Sequence, residues 1–154
     1  MTKETQEHIQ WILTRYPTKM SCLLPVLWAL QKDKGYIGPE EVEYVSKLLN
    51  LSKAHIYGVI SFYVLFKKPN EGKHIIWVCS TLPCALAGSD ELCNHICKKL
   101  GVKVGETTKD KKFTVKKNEC LAACDRAPCI QIDEKYYYKV TPEKFDRILN
   151  EYEI

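Results

Sequence analysis

The sequence predicts an α+β or α/β protein in two parts. A small helical bundle is expected over residues 1–72, followed over residues 73–154 by an α/β domain with a mixed sheet. Before the turn-forming cluster Pro69-Asn70-Glu71-Gly72, apolar residues recur at helical spacing. After it, short β-branched and aromatic runs alternate with helical segments, which is typical of a sheet covered by helices.

Four segments of the first part carry helical signals. The first should end at Pro17 and the second at Gly35, because proline and glycine stop helices. The third should begin at Pro39, and Ser52 can cap the fourth. The apolar positions that predict these helices are Ile9, Ile12, Leu13, Tyr16; Leu23, Leu24, Leu27, Leu30; Val42, Val45, Leu49; and Ile56, Val59, Ile60, Tyr63.

The second part alternates strand and helix signals, in an order that suggests a mixed sheet. Ser89 is expected to cap its first helix, because serine favours that position. The predicted elements are a strand over 74–78, a helix over 89–100, a strand over 113–115, a hairpin of strands over 129–132 and 136–138, and a last helix from residue 141.

Composition places the chain among globular proteins and excludes disordered and fibrous classes. Hydrophobic residues make up 45% and charged residues 27%. No apolar stretch reaches the roughly 18 residues that a membrane helix needs, and the N-terminus shows no export signal. We therefore expect a protein that is not inserted in a membrane.

The net charge of +4 is concentrated in one segment. Between Lys98 and Glu119 there are eight lysines and three acidic residues, whereas the rest of the chain is nearly neutral. Such a segment can contact an acidic partner or nucleic acid, but it is more often a solvated surface. We expect no nucleic-acid partner, because the sequence shows no aromatic residues alternating with basic ones.

Eight cysteines are unusual for 154 residues without an export signal. In a reducing compartment, such cysteines are more often metal ligands or buried thiols than disulfides. Four of them form two pairs that directly follow the first two predicted strands. These candidate ligands are Cys79 and Cys84, spaced C-x4-C, and Cys120 and Cys124, spaced C-x3-C.

The spacing alone favours an iron–sulfur cluster but leaves other sites open. Structural zinc pairs are usually C-x2-C, whereas the longer spacings suit loops around a larger inorganic core. Zinc, or structural or reactive thiols, remain alternatives. Small and apolar neighbours such as Leu121 and Ala123 would exclude water from the site. The other four cysteines are expected to be packing residues: Cys22, Cys93, Cys97 and Cys129.

Several motifs together resemble the thioredoxin-like [2Fe–2S] ferredoxin family, and within it the E subunits of NADH-quinone oxidoreductase (respiratory complex I). The resemblance covers roughly residues 8 to 152. The segments that carry it are Val78-Cys79-Ser80-Thr81-Leu82-Pro83-Cys84, Glu119-Cys120-Leu121-Ala122-Ala123-Cys124 with Ala127-Pro128, and, in the first part, Leu24-Pro25-Val26-Leu27 and Gly35-Tyr36-Ile37.

The resemblance implies a thioredoxin-like second domain and one [2Fe–2S] cluster bound by Cys79, Cys84, Cys120 and Cys124. It also implies that the chain has no catalytic residues of its own. Its partner would be the flavoprotein subunit that binds FMN and NADH, and the cluster would exchange single electrons with that FMN. The chain would then be a peripheral-arm subunit, in the cytoplasm or on the cytoplasmic or matrix side of an energy-transducing membrane.

Two positions depart from the family pattern. The family usually has glycine where Ala122 stands, and alanine would be strained there if that position needs a positive φ. Cys129 stands where relatives tend to carry an aliphatic residue or methionine. Neither departure touches the four predicted ligands.

Two alternatives for the function stay open at this point. The same module serves NAD-linked hydrogenases, including electron-bifurcating ones, and NAD-dependent formate dehydrogenases. The other alternative is a zinc-stabilised interaction module whose lysine-rich segment meets an acidic partner, which predicts a colourless protein and salt-sensitive binding.

Overall fold

The structure is a computed structural model that describes residues 1–153. The chain forms two compact units. The first comprises Met1–Pro69 and the second begins at Asn70. The domain boundaries of 1–72 and 73–154 remain a prediction.

The first unit contains four α-helices. Gly35 ends the second helix in the left-handed conformation, with φ of 88°, and the Ser52 side chain accepts a hydrogen bond from the His55 N–H at the start of the fourth. The helices are α1 (Lys3–Arg15), α2 (Leu23–Lys34), α3 (Pro39–Leu49) and α4 (Lys53–Phe62), with a 3₁₀ turn over Met20–Cys22 before α2.

One face of each of these helices is buried in a shared apolar core. Ile9, Ile12, Val45 and Ile56 are almost inaccessible to solvent. Tyr63 was expected in this core but is exposed. The reason is that α4 ends at Phe62, so the position of Tyr63 no longer follows the helical period.

The second unit is a mixed four-stranded sheet with helices. The strands run in the order β2–β1–β3–β4 across the sheet; β1 pairs with β2 in parallel and with β3 antiparallel. The elements are β1 (His74–Cys79), α5 (Leu82–Leu86), α6 (Ser89–Leu100), β2 (Phe113–Asn118), a 3₁₀ turn over Cys124–Arg126, β3 (Ile130–Ile132), β4 (Lys135–Tyr137) and α7 (Pro142–Glu153).

Alternation along β1 gives the second unit two apolar cores. Ile76 and Val78 pack in a core with residues of α6 and α7. Trp77 and Cys79 lie in a second core together with Cys84, and we call it the cysteine core. It comprises Ile75, Trp77, Cys79, Cys84, Leu121, Ala123 and Cys129. Successive side chains of a strand point to opposite faces, so the odd-numbered residues of β1 line the cysteine core.

The structure corrects the sequence prediction at the start of α6. Gly88, with φ of 91°, is the N-cap, and Ser89 is already helical. The Ser89 hydroxyl is buried without a hydrogen-bond partner in the described part of the chain, so it does not cap the helix. The five-residue helix α5, which carries Cys84, was not predicted at all.

Within residues 1–153, no helix is both long and apolar enough to cross a membrane.

Candidate metal centre

The two cysteine pairs follow two neighbouring parallel strands. In the register of β1 and β2, Cys79 stands opposite Asn118, and the Ser80 N–H donates to the Asn118 carbonyl oxygen at 2.9 Å. Parallel strands end at the same edge of a sheet, so the segments after Cys79 and after Asn118 begin side by side. This topology brings the two pairs to one edge.

The first pair is held by regular structure and is buried. Cys79 is the last residue of β1, and its N–H donates to the Cys129 carbonyl oxygen at 3.2 Å. Cys84 lies on α5, where its N–H donates to the Thr81 carbonyl oxygen at 2.9 Å. We call residues 79–84 the first cysteine loop.

The second pair lies on an irregular, exposed segment. Cys120 and Cys124 are both exposed, and Cys124 begins a 3₁₀ turn. Between them, Ala122 has φ of 53°, in the left-handed region that alanine disfavours. The Ala122 N–H points at the Cys120 sulfur, with 3.3 Å between N and Sγ. We call residues 120–124 the second cysteine loop.

The Cys79 sulfur lies 3.8 Å from the Thr81 hydroxyl oxygen of its own loop and 3.9 Å from the carbonyl oxygen of Glu119. Burial raises the pKa of the Cys79 thiol, but hydrogen bonds from the backbone N–H groups of Leu121 and Thr81 outweigh it, so this pKa lies below its ordinary value. Glu119 lies directly before the second cysteine loop. The lowered pKa favours a thiolate at position 79.

The pKa of the Cys84 thiol is shifted upward, opposite to that of Cys79. Burial, together with its hydrogen bond to Cys79, raises the pKa of the Cys84 thiol, and Cys124 adds to the rise through its charge. Cys84 thus lies in contact with Cys79 and within electrostatic range of Cys124. Two thiols that share a hydrogen bond cannot both ionise easily without a cation beside them, and a bound metal would remove this penalty.

The residues present fit an iron–sulfur cluster in their chemistry. All four predicted ligands are free thiols, and the Ala122 N–H points at the Cys120 sulfur. Among the described residues, no three His, Cys, Asp or Glu side chains are grouped to hold a metal ion, so the structure does not bring three of the four cysteines together at one ligand site.

The remaining cysteines are separate from the four, except for Cys129. Cys129 is fully buried in the cysteine core together with Cys79 and Cys84, and its carbonyl oxygen accepts from the Cys79 N–H. Burial raises the pKa of the Cys129 thiol to about 11. Cys93 lies in the core on the other face of the sheet, where burial raises the pKa of its thiol to about 11.

Arg126 has a specific contact that the sequence does not predict. The guanidinium carbon lies 4.1 Å from the centre of the Tyr138 ring, and that ring packs against the cysteine core. The two residues are twelve positions apart, and no local pattern connects them.

Comparison with known proteins identifies close relatives over most of the chain. The model of the thioredoxin-like [2Fe–2S] ferredoxin family matches residues 9–153. The NADH-quinone oxidoreductase E subunit from Rickettsia felis is 41% identical over 144 residues, which cover 92% of this chain and 86% of the relative. The corresponding protein from Thermus thermophilus, numbered as the second subunit of NADH-quinone oxidoreductase, is 35% identical over 149 residues, covering 95% and 82%.

A solved structure supports the fold. A chain of an NAD+-reducing [NiFe]-hydrogenase in the air-oxidized state superposes with a TM-score of 0.73 at 23% identity, covering 82% of this chain. This chain spans only 22% of that hydrogenase chain. The family match and the mixed sheet confirm the predicted fold class, and the relatives are subunits of oxidoreductases.

Proposed function

The chain belongs to the thioredoxin-like [2Fe–2S] ferredoxin family, and from this premise we propose that it is a one-electron carrier subunit whose [2Fe–2S] cluster is held by four thiolates. The proposed ligands are Cys79, Cys84, Cys120 and Cys124. A [2Fe–2S] cluster, when bound, supplies the transfer of single electrons. The chain contributes no catalytic side chain in this proposal.

One observation carries the ligand assignment. The sulfur of Cys79, at the end of β1, lies 3.9 Å from the carbonyl oxygen of Glu119, the residue directly before Cys120. Cys84 and Cys120 are 36 positions apart in the sequence, yet the chain that begins the second loop lies beside a sulfur of the first. Thiolates are the form in which cysteine binds iron.

The cysteine core supports the same assignment by excluding water from one side of the site. Cys79, Cys84, Leu121 and Ala123 are all almost inaccessible to solvent. Burial and N–H···S hydrogen bonds are two of the factors by which a protein sets the reduction potential of a cluster. The exposed second loop leaves the other side open to an approaching partner.

The names of the relatives favour a partner that oxidises NADH. The curated relatives in Rickettsia and Thermus are subunits of NADH-quinone oxidoreductase, so we propose a flavoprotein subunit carrying FMN and NADH as the electron-exchange partner. In this proposal the chain lies in the peripheral arm, on the cytoplasmic or matrix side of the membrane. The hydrogenase match, at 23% identity, supports the fold, and a hydrogenase or formate dehydrogenase assembly remains the alternative.

Substitution of one proposed ligand, with a matched control, tests the assignment. Cys120→Ser should abolish the cluster or strongly change its visible and EPR spectra, because serine is a poor replacement for a thiolate on iron. Cys93→Ser, on the other face of the sheet, should leave both spectra and the iron and sulfide content unchanged. An unchanged spectrum in Cys120→Ser would overturn the ligand assignment.

A further inference from the structure

Arg126 holds a positive charge beside the cysteine core. It is the last residue of the 3₁₀ turn that begins at Cys124. Its guanidinium lies over the Tyr138 ring at 4.1 Å, and Tyr138 packs against the core that contains Cys79 and Cys84. A guanidinium stacked on an aromatic ring is held by a cation–π attraction.

The backbone fixes this arrangement from both sides. The Arg126 N–H donates to the Ala123 carbonyl oxygen at 3.0 Å, within the second cysteine loop. The Arg126 carbonyl oxygen accepts from the Lys139 N–H at 2.9 Å, next to Tyr138. The residue thus ties the loop of Cys120 and Cys124 to the segment after β4, and the side chain has a defined place.

We propose that the positive charge of Arg126 raises the reduction potential of the cluster. The inference rests on the proposed function, since it needs a cluster at the four thiolates. In that function the cluster would accept one electron from the reduced flavin of the partner, and no bond of this chain would form or break. The Arg126 guanidinium would stabilise the added negative charge and so make reduction easier.

The charges around Arg126 determine the size of this effect. The Asp125 Oδ2 lies 3.3 Å from the Arg126 Nε, and its negative charge opposes the effect of Arg126 on the potential. The Asp125 side chain is 75% exposed, against 52% for Arg126. Lys144 adds a second positive charge, because its Nζ donates to the Tyr138 carbonyl oxygen at 2.6 Å. Water screens the more exposed Asp125 more strongly, so the net contribution of the pair should be positive.

The position of Arg126 in the chain also brings its charge close to the proposed ligands. Arg126 lies two residues after Cys124. The Tyr138 ring beneath its guanidinium packs against the core that contains Cys79 and Cys84. Arginine stays protonated at any pH at which the protein is stable, so its effect on the potential should not depend on pH.

The midpoint potential of the loaded full-length chain tests the proposal. At a fixed potential, Arg126→Gln should shift the ratio of reduced to oxidised cluster by on the order of tenfold toward the oxidised form. For a one-electron couple this corresponds to a midpoint potential lower by about 59 mV. Asp125→Asn should shift it the other way by less, and Arg126→Lys should keep most of the wild-type value. High salt should reduce all three shifts.

Arg147→Gln is the matched control, because it removes the same charge from the exposed surface of α7 and should not shift the potential. Equal potentials for Arg126→Gln and Arg147→Gln, in chains with wild-type iron and sulfide content, would overturn this inference alone. If Arg126→Gln fails to bind the cluster, Asp125→Asn decides: a raised potential supports the proposal and an unchanged one overturns it. A wild-type chain without iron and sulfide would instead overturn the proposed function.

Discussion

The two cysteine loops lie at the same edge of the sheet, yet they are held in different ways. Cys79 ends a strand and Cys84 lies on a short helix, and both are buried. Cys120 lies in irregular backbone and Cys124 begins a 3₁₀ turn, with the left-handed Ala122 between them, and both cysteines are exposed. Both loops contribute to the cysteine core, the first through its cysteines and the second through Leu121 and Ala123, which leaves the cysteines of the second loop exposed.

This difference suggests a division of roles. In the proposed site, the buried loop would fix the position of the cluster and supply Cys79, whose pKa lies below its ordinary value. The exposed loop would complete the ligand set, and it leads into Arg126, which stacks on Tyr138 beside the core. We expect the second loop to influence the reduction potential of the site and to form its contact with a partner.

Thiol reactivity in the cluster-free chain should show the largest difference between the loops. We expect Cys120 and Cys124 to react with iodoacetamide at least about tenfold faster than Cys79 and Cys84, because burial blocks access even where the pKa is lowered. Mass spectrometry after a short exposure to the reagent measures all four rates. In urea the four rates should converge; equal rates in the folded chain would show that the loops do not differ.

Ala122 offers a smaller test, specific to the second loop. Ala122→Gly should stabilise the chain by about 0.5–1 kcal/mol, because relief of the left-handed strain outweighs the added freedom of the unfolded chain. The control is Ala123→Gly: Ala123 has φ of −126° and is buried, so this change should destabilise. Denaturant unfolding under anaerobic conditions measures both, and a less stable Ala122→Gly would contradict the geometry of this loop.

Much of this architecture is predictable from the sequence, because it depends on local signals. Pro39 and Ser52 begin helices where expected, and the strand beginning at His74 lies where the β-branched run predicts it. The spacing of the cysteines is enough to locate the two candidate ligand pairs. The expected cap at Ser89 is wrong because Gly88, with a positive φ, takes the capping position that serine often occupies.

What the sequence did not predict depends on tertiary contacts. The possible strain at Ala122 follows from the family pattern, but its φ of 53° comes from the structure. The contact of Arg126 with Tyr138 joins a loop to the segment after β4 and follows no periodic rule. The contact between the Glu119 carbonyl and the Cys79 sulfur needs the parallel register of β1 and β2, which only the assembled sheet defines.

The iron, sulfide and zinc content of the anaerobically purified chain tests most directly the central claim that it binds a [2Fe–2S] cluster. We expect about two irons and two sulfides per chain, a brown colour and an EPR signal that appears on reduction with dithionite. One zinc per chain, with no sulfide and no EPR signal even after reconstitution with iron and sulfide, would contradict the account. That result would favour the zinc-stabilised interaction module in its place.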